Sequence, residues 1–456
     1  MSLLAPLPPG PMQPRAWQII RYQREPLTYV EACVQRYGPV FTMRLPLLGT
    51  VVAAVDPDDV HAILTQAPER FPDGPDSSPI APIMGEKAMM FATGATHRRQ
   101  RRTLLSAFHG GLAARWSERM TRVTEVELAR LPRNEPVASL PATRRIALEV
   151  ICRLALGTMD PFDFALLRDE VGRRDDPRLA LMLLFPTLWR RGGRLNPGGP
   201  LKRRRDTVNR LLLRQIALRR AAPDDGQECD DVLSVLVAAR DELGRPLADA
   251  EIRDQLVGLV LAGHETTAAA LSWALERISR SPQVCERLSA ELAGGRTDYL
   301  DAVVRETLRL RPPILDVLRT TTVPVELGSH RIPPGMSVSA VCAVAQRSSE
   351  VWEEPLAFRP ERFLGDKPAP YAFAPFGGGV RRCIAASLAT LLMQVVVRTA
   401  VERAAVTAAP GPEEQPRVYG LSLLPSRGGR VVLCPRGAHS TRNSSISGER
   451  VASQLG

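Results

Sequence analysis

The sequence predicts one mainly α-helical domain with a small β region. From Asp58 to about Glu306, nearly every segment repeats its apolar residues with the period of an α-helix. The longest of these segments runs from about Asp249 to Ser281, where a Ser-Pro pair is typical of a helix end. A helix of that length measures roughly 45 Å and would cross a whole domain.

Strands are predicted near both ends of the chain. The stretches "YGPVFTMRL" and "TVVAAVD" are alternating or β-branched, which indicates a small sheet near the start. Pro, Gly and β-branched residues return from Pro312 to Pro334 and again near the C-terminus, where we expect short strands and turns. No Ser/Gly linker or internal repeat divides the 456 residues. We therefore expect a single domain over residues 1–435, with an irregular Pro-rich start at 1–15 and a disordered polar tail at 436–456.

The cysteines and apolar runs bear on the compartment. The seven cysteines are scattered and form no CxxC pair, which argues against a disulfide framework and a zinc ribbon and favours a reducing cytoplasm. The N-terminus shows no signal peptide. The longest apolar stretch, Leu179 to Trp189, is broken by Pro186 and is shorter than the ~20 residues that span a bilayer. We expect a soluble, cytoplasmic, monomeric protein with no membrane span.

The net charge of +11 raises the question of whether the protein binds nucleic acid. The excess arginines are spread over many amphipathic segments with few aromatic residues between them. An acidic protein partner, or simply an arginine-rich proteome, explains this pattern better than nucleic-acid binding.

The stretch "FGGGVRRCIA", residues 376–385, is the most unusual in the chain. Three successive glycines indicate an unusual turn or another body lying against the backbone. An apolar helical pattern follows, so Cys383 lies at or just before a helix N-terminus, where backbone N–H groups and nearby Arg381 and Arg382 favour a thiolate. The alternative is a glycine loop whose small cysteine fills the core.

A second stretch, "AGHETTAAALSW", lies in the middle of the long predicted helix. Gly263 and the run Glu265, Thr266 and Thr267 are unfavourable in a buried helix. A carboxylate beside a hydroxyl can deliver protons to a molecule bound alongside. A helix kink with threonines bonded to carbonyls one turn earlier is an equally good explanation.

Two charged stretches suggest an ion-pair network. In "ETLR", residues 306–309, Glu306 and Arg309 are one helical turn apart, as in many solvated surface pairs. "FRPERF", residues 358–363, offers Arg362 in a Pro-bounded turn. We expect the three to form a buried network with a structural role.

A third charged stretch, "HRRQRR", places His97 and Arg101 on one helix face, where both could hold one anion. A solvated basic face is the better explanation for Arg98, Arg99 and Arg102.

These stretches together resemble the cytochrome P450 family of haem-thiolate monooxygenases. "FGGGVRRC" is similar to the family's cysteine loop, "AGHETT" to its oxygen-binding helix motif, "ETLR" to its glutamate–arginine helix, and "FRPERF" to the turn that completes that network. Their order and spacing fit, and the resemblance extends over roughly residues 7 to 435. It implies the cytochrome P450 fold, with the long central helix crossing over the haem.

The resemblance also implies the cofactor and its ligands. It implies haem b with the Cys383 thiolate as axial ligand, glycines that let the loop lie under the ring, and Glu265 and Thr266 as the catalytic pair. The implied haem-binding residues are His97, Arg101, Arg319, Phe376, Gly377, Arg381 and Cys383, with His97 and the three arginines holding the propionates. Ala385 stands where the family commonly has glycine, and His97 where membrane-bound members often have tryptophan, which fits a soluble, bacterial-type protein.

The implied reaction is the insertion of one atom of O₂ into a lipophilic small molecule, by hydroxylation or epoxidation. No flavin or iron–sulfur domain is visible in the sequence, so electrons are expected from a separate ferredoxin or flavodoxin with its reductase. A peroxide-driven haem-thiolate peroxygenase is the alternative, although it would not need Glu265 and Thr266. A haem sensor or electron carrier is a further one, but a carrier would need a sixth protein ligand, and His264 is interpreted as facing elsewhere.

The resemblance also points to the substrate pocket. The segments expected to face it are 76–91, 179–189, Gly258, Leu261, Ala262, 314–318 and 422–424, most of them apolar. Asp316 is the polar exception: it could bind a substrate hydroxyl or amine, or turn toward backbone donors. The basic Gly/Pro-rich stretch 190–205 is expected to be either a mobile connection between two helices that cap the pocket or a plain surface loop.

Overall fold

The structure is a computed structural model of the 456-residue chain. It describes residues 6–46, 48–65, 81–108, 112–172, 199–222, 231–365, 368 and 371–435. The predicted tail at 436–456, the pocket segments 76–80 and 179–189, and the first part of the 190–205 stretch lie outside these residues.

Helices dominate the described chain, as predicted. In chain order they are α1 Arg15–Arg24, α2 Pro26–Tyr37, α3 Pro57–Thr65, α4 Ala81–Met84, α5 Gly94–Ser106, α6 Leu112–Ala129, α7 Leu140–Leu156, α8 Pro161–Gly172, α9 Gly199–Ala221, α10 Val232–Ala238, α11 Asp249–Ser279, α12 Pro282–Ala293, α13 Asp298–Leu310, α14 Cys342–Ala345 and α15 Ala386–Arg403. Short 3₁₀ turns lie at Pro360–Phe363 and Gly379–Arg381.

The strands form small sheets, and all of them except β3 lie in or close to the regions where strands were predicted, near the start of the chain and after residue 312. They are β1 Val40–Leu45, β2 Gly49–Ala54, β3 Pro136–Ala138, β4 Val317–Thr320, β5 Val325–Leu327, β6 His330–Ile332, β7 Ser337–Ala340, β8 Ala404–Ala408, β9 Pro416–Tyr419, β10 Ser422–Pro425 and β11 Arg430–Pro435. The sheets have the orders β1-β2-β7-β4, β3-β11-β8, β5-β6 and β9-β10. Only the β2–β7 pair is parallel among these ladders.

The long central helix is confirmed. α11 runs for 31 residues and ends beside the Ser-Pro pair that predicted its end. Its C-terminal half is buried in the largest apolar cluster, together with α7, α13 and α15. At Gly263 an added Cβ would lie 3.1 Å from the Ile151 side chain of α7, so the glycine lets these two helices pack closely.

Residues 199–205 do not form the loop that the composition of the 190–205 stretch predicts. They belong to α9, which begins at Gly199 and continues to Ala221. Pro200 is tolerated there because the first N–H groups of a helix have no intrahelical acceptor. The expected break is therefore wrong for residues 199–205.

None of the helices in the described ranges is both long enough and apolar enough to cross a membrane.

Candidate functional site

The cysteine loop leads directly into a helix, as predicted. α15 begins at Ala386, and Ala385 is its N-cap residue. The loop closes on itself, because the Cys383 backbone N–H donates to the Phe376 carbonyl at 2.9 Å. This bond fixes the position of the Cys383 side chain one short turn ahead of the helix.

Cys383 differs electrostatically from the core cysteines. Its side chain is exposed to open space, yet burial by the surrounding loop still raises the pKa of its thiol, so it lies in a recess. The Ala385 backbone N–H, Arg382 and Arg101 lower that pKa. For Cys152 and Cys342, burial raises the pKa to about 12. An accessible sulfur with a backbone donor and two cations beside it fits the thiolate ligand that the resemblance to haem-thiolate proteins implies.

The three glycines of the loop are needed for two different reasons. A Cβ on Gly379 would lie 2.3 Å from the Leu64 carbonyl oxygen at the end of α3, and one on Gly378 would lie 2.6 Å from the Tyr371 ring. These two glycines therefore make room for protein. Gly377 has a φ of +66° and nothing within 4 Å of an added Cβ, so it alone keeps a free side toward open space.

The cations expected around a haem carboxylate occupy different settings. His97 is 1% exposed, on the same helix, α5, as Arg101. Burial lowers the pKa of Arg101 and nearby Arg382 lowers it further, while Cys383 raises it. A further anion beside Arg101 would therefore stabilise its charged form. Arg319 lies on β4 and donates to the Leu318 carbonyl at 2.9 Å.

Arg381 braces the chain that precedes α5. Its guanidinium donates to the Met89 carbonyl at 3.2 Å, to the Met90 carbonyl at 3.4 Å and to the Ala92 carbonyl. On its other side, this segment is bonded to α11, since Gln255 accepts from the Met89 N–H at 2.9 Å. Arg381 therefore connects the cysteine loop with a segment predicted to face the pocket.

The middle of α11 borders open space on one face. Ala262 is exposed and Thr266, one turn later, is half-buried, although most of the helix after it is buried. The Thr266 hydroxyl donates to the Ala262 carbonyl at 2.8 Å, the bond that a self-satisfied threonine makes. Its hydroxyl oxygen can still accept a hydrogen bond from a molecule in that space.

Glu265 has a partner that the sequence analysis missed. Arg144 of α7 donates to both of its carboxylate oxygens, at 2.6 and 3.2 Å, and Glu265 is 4% exposed. His264 lies beside the pair, with Nδ1 2.9 Å from the Val260 carbonyl, so it faces the protein as interpreted. No local signal distinguishes Arg144 from Arg145, because the two partners are 121 residues apart.

The predicted ion-pair network is confirmed. Arg309 donates to both Glu306 oxygens, at 2.7 and 2.8 Å, and both side chains are 0% exposed. Arg362 adds a bond to Glu306 at 3.2 Å. The network holds α13 against the turn at Pro360–Phe363.

Asp316 turns toward protein donors. Its carboxylate accepts hydrogen bonds from Ser339 and Tyr22, and burial raises its pKa. The carboxylate is therefore bonded to the protein, but the expectation of backbone donors is wrong, because both donors are side-chain hydroxyls. Tyr22, on α1, is a partner that sequence reasoning did not find.

Fewer exposed arginines lie on α5 than its sequence suggests. Arg98, Arg102 and Arg382 are exposed. Arg99 is half-buried and pairs with Glu251 at 2.9 Å, so its charge is neutralised because α11 packs nearby. The exposed cluster beside the cysteine loop, which we call the α5 basic patch, therefore consists of Arg98, Arg102 and Arg382.

Comparison with protein families agrees with this site. The model of the family described as Cytochrome P450 matches residues 6–432. Among curated relatives, cytochrome P450 135B1 of Mycobacterium tuberculosis is 34% identical over 97% of this chain and 94% of its own length. Cytochrome P450 137 of the same organism is 33% identical, covering 94% of this chain and 91% of its own.

A solved structure has the same fold. The retinoic-acid-bound cyanobacterial CYP120A1 is 25% identical, with a TM-score of 0.80 over 95% of this chain and 100% of that one.

Proposed function

The chain belongs to the cytochrome P450 family of haem-thiolate monooxygenases, which carry haem b, and we propose that it inserts one atom of O₂ into a lipophilic small molecule by hydroxylation or epoxidation. The observation that carries the proposal is the Cys383 site, a recessed thiol with the Ala385 N–H, Arg101 and Arg382 around it. Its single domain would extend over residues 1–435, and its free cysteines suit the reducing cytoplasm.

We assign the haem to the space bordered by Cys383 and by the open face of α11. Cys383 would bind the haem iron through its thiolate, and Phe376 and Gly377 of the same loop would help to hold the cofactor. His97, Arg101, Arg319 and Arg381 would face the propionates. When bound, the haem supplies the activation of oxygen, and thiolate ligation favours cleavage of the O–O bond.

Residues of α11 would position and transfer the protons that the reaction needs. The Thr266 Oγ1 borders the open face and can hold a water or an oxygen there. Glu265 accepts from Arg144 through both oxygens, so it must turn away from Arg144 before it can carry a proton toward Thr266. Arg144 is 27% exposed and is the member of the pair that reaches solvent, whereas the Glu265 side chain is 6% exposed.

We expect Thr266→Ala to uncouple reductant consumption from product formation. Without the hydroxyl, proton delivery beside the haem is mispositioned, and a lost proton relay typically costs at least about tenfold. Oxygen and reductant should still be consumed, with more hydrogen peroxide and less product, measured as the product-to-reductant ratio. Thr267→Ala is the matched control. Full coupling in Thr266→Ala would make Thr266 a helix residue only. Equal activity of the wild type and Thr266→Ala with added peroxide alone, and none with oxygen and reductase, would favour the peroxygenase.

The substrate would be lipophilic because the described segments assigned to the pocket are mostly apolar. Leu261 and Ala262 of α11 and Ile314 before β4 are assigned to it, and Asp316 is already bonded to protein. The similar cyanobacterial structure holds retinoic acid, a largely hydrocarbon ligand. Titrating the haem protein with fatty acids, retinoids, steroids and sugars, and recording the haem spin-state shift, tests this class. A response confined to the sugars would contradict it.

Electrons would come from a separate acidic ferredoxin or flavodoxin that docks on the α5 basic patch. Charge reversal by Arg98→Glu and Arg102→Glu together should slow reduction at low salt by roughly tenfold, because rim charges steer association. Substrate affinity should be unchanged. Stopped-flow reduction kinetics measure the effect, and Lys202→Glu with Arg203→Glu, two exposed cations on α9, is the control. Equal reduction rates in both variants would place the docking site elsewhere.

A further inference from the structure

α1 turns its apolar side chains outward. Trp17 is 55% exposed and Ile20 48% exposed, while Gln18 is 1% exposed and Tyr22 9% exposed. Trp17 and Ile20 are three residues apart and share one face of the helix. The helix therefore shows a large aromatic and an aliphatic side chain to the outside and buries polar ones.

Polar contacts fix this orientation. The Gln18 Nε2 donates to the Pro11 and Gln13 carbonyls at 3.1 and 2.8 Å, and its Oε1 accepts from the Arg44 backbone N–H at 2.9 Å. Rotating the helix to bury Trp17 would break all three bonds. The outward apolar face is thus built into the packing of α1 on β1.

The apolar face continues beyond the helix. Met12 is 83% exposed, and its Sδ lies 3.9 Å from the Arg44 Nη1 of β1. We call Met12, Trp17 and Ile20 the α1 apolar patch.

Positive charge surrounds this patch. The charged residues in the segment 6–25 are Arg15, Arg21, Arg24 and Glu25, three cations against one anion. Arg21 lies over the Trp17 ring, 5.7 Å from its centroid, and pairs with Glu25 at 3.6 Å. Trp and aliphatic side chains flanked by arginines are typical of helices that lie in the interface of an anionic bilayer.

We propose that the α1 apolar patch rests on the surface of an anionic lipid bilayer, with Trp17 and Ile20 among the acyl chains and Arg15, Arg21 and Arg24 at the headgroups. Charge complementarity selects this occupant, because an acidic protein would pair with the arginines but leave Trp17 and Ile20 without an apolar partner. The contact is peripheral and does not depend on the proposed chemistry. Tyr22 on the opposite face bonds to Asp316, so the membrane-facing helix also touches the segment before β4.

The haem-loaded full-length protein can be tested on vesicles of phosphatidylcholine with or without phosphatidylglycerol. Co-sedimentation should be strong only with phosphatidylglycerol and should weaken as salt increases. Trp17→Ser with Ile20→Ser should lower the partition coefficient by about tenfold or more, since burial of two large apolar side chains is lost. Phe162→Ser with Leu243→Ser, two side chains that are 76% and 73% exposed elsewhere, is the matched control and should bind as the wild type does.

Tryptophan fluorescence is a second measurement, and it detects the contact of Trp17 with the bilayer directly. Trp116, Trp273 and Trp352 are at most 6% exposed, so among the described tryptophans Trp17 should dominate any vesicle-induced blue shift. No binding by the wild type, or equal binding by the Trp17/Ile20 and control variants, would overturn the proposal. Sedimentation velocity showing self-association that only the Trp17/Ile20 variant loses would assign the patch to a second copy, which also overturns it.

Discussion

Replacing Cys383 with serine is expected to abolish the red-shifted Soret band of the reduced carbon monoxide complex. That band requires a thiolate opposite the carbon monoxide, and a serine hydroxyl is a far weaker acid than a thiol and does not supply an equivalent anionic ligand. Burial raises the pKa of the Cys383 thiol, but the Ala385 N–H, Arg382 and Arg101 lower it and would stabilise the anion when it binds iron. The absorption spectrum of the reduced, carbon-monoxide-treated protein measures the effect.

The other described cysteines supply the controls. Cys342 is buried and burial raises the pKa of its thiol to about 12, so it stays a neutral thiol at physiological pH. Cys342→Ala should keep the band, and so should Cys285→Ser, whose sulfur is half-buried. A Cys383→Ser protein that still gave the band, or a Cys342→Ala protein that folded and bound haem without it, would show that the axial ligand is misassigned.

Local patterns predicted the parts of the fold that depend on neighbouring residues. The helical period and the Ser-Pro pair predicted α11 to within two residues of its end, and the β-branched stretches predicted β1 and β2. The pattern failed at Gly199, where composition suggested a loop and α9 begins. A glycine or proline opposes a helix in its interior but not in its first turn.

The site shows the same division. The position of Cys383 before a helix follows from sequence, as does the pairing of Glu306 with Arg309 one turn later. The partners of Glu265 and Asp316 could not be predicted, because Arg144 and Tyr22 come from distant segments. The reason for Gly378 and Gly379 was likewise hidden, since it lies in the side chain of Tyr371 and the backbone of α3.

Replacing Arg309 with alanine is expected to prevent most of the chain from reaching the folded, haem-loaded state. The guanidinium is 0% exposed and donates to both Glu306 oxygens and to the carbonyls of Gln346 and Pro355, at 3.0 and 2.8 Å. Removing it leaves a buried carboxylate without its main partner, which costs about 3–5 kcal/mol. Domains have only about 5–15 kcal/mol of stability, so the loss is a large fraction of the total.

Arg359 provides the matched control for this prediction, because it lies in the same turn but on the surface. Its guanidinium is 42% exposed and pairs with Glu353 and Glu354, and such exposed pairs contribute at most about 1 kcal/mol. Arg359→Ala should therefore be purified with a normal ratio of haem to protein, whereas Arg309→Ala should not.

Arg309→Lys should fail as well, since an ammonium cannot reach both Glu306 oxygens and the two carbonyls at once. Urea unfolding and the haem-to-protein absorbance ratio measure both effects, and a stable, fully loaded Arg309→Ala protein would show that the network is not required for the fold. Normal loading with lost activity in that variant would instead give Arg309 a part in the reaction.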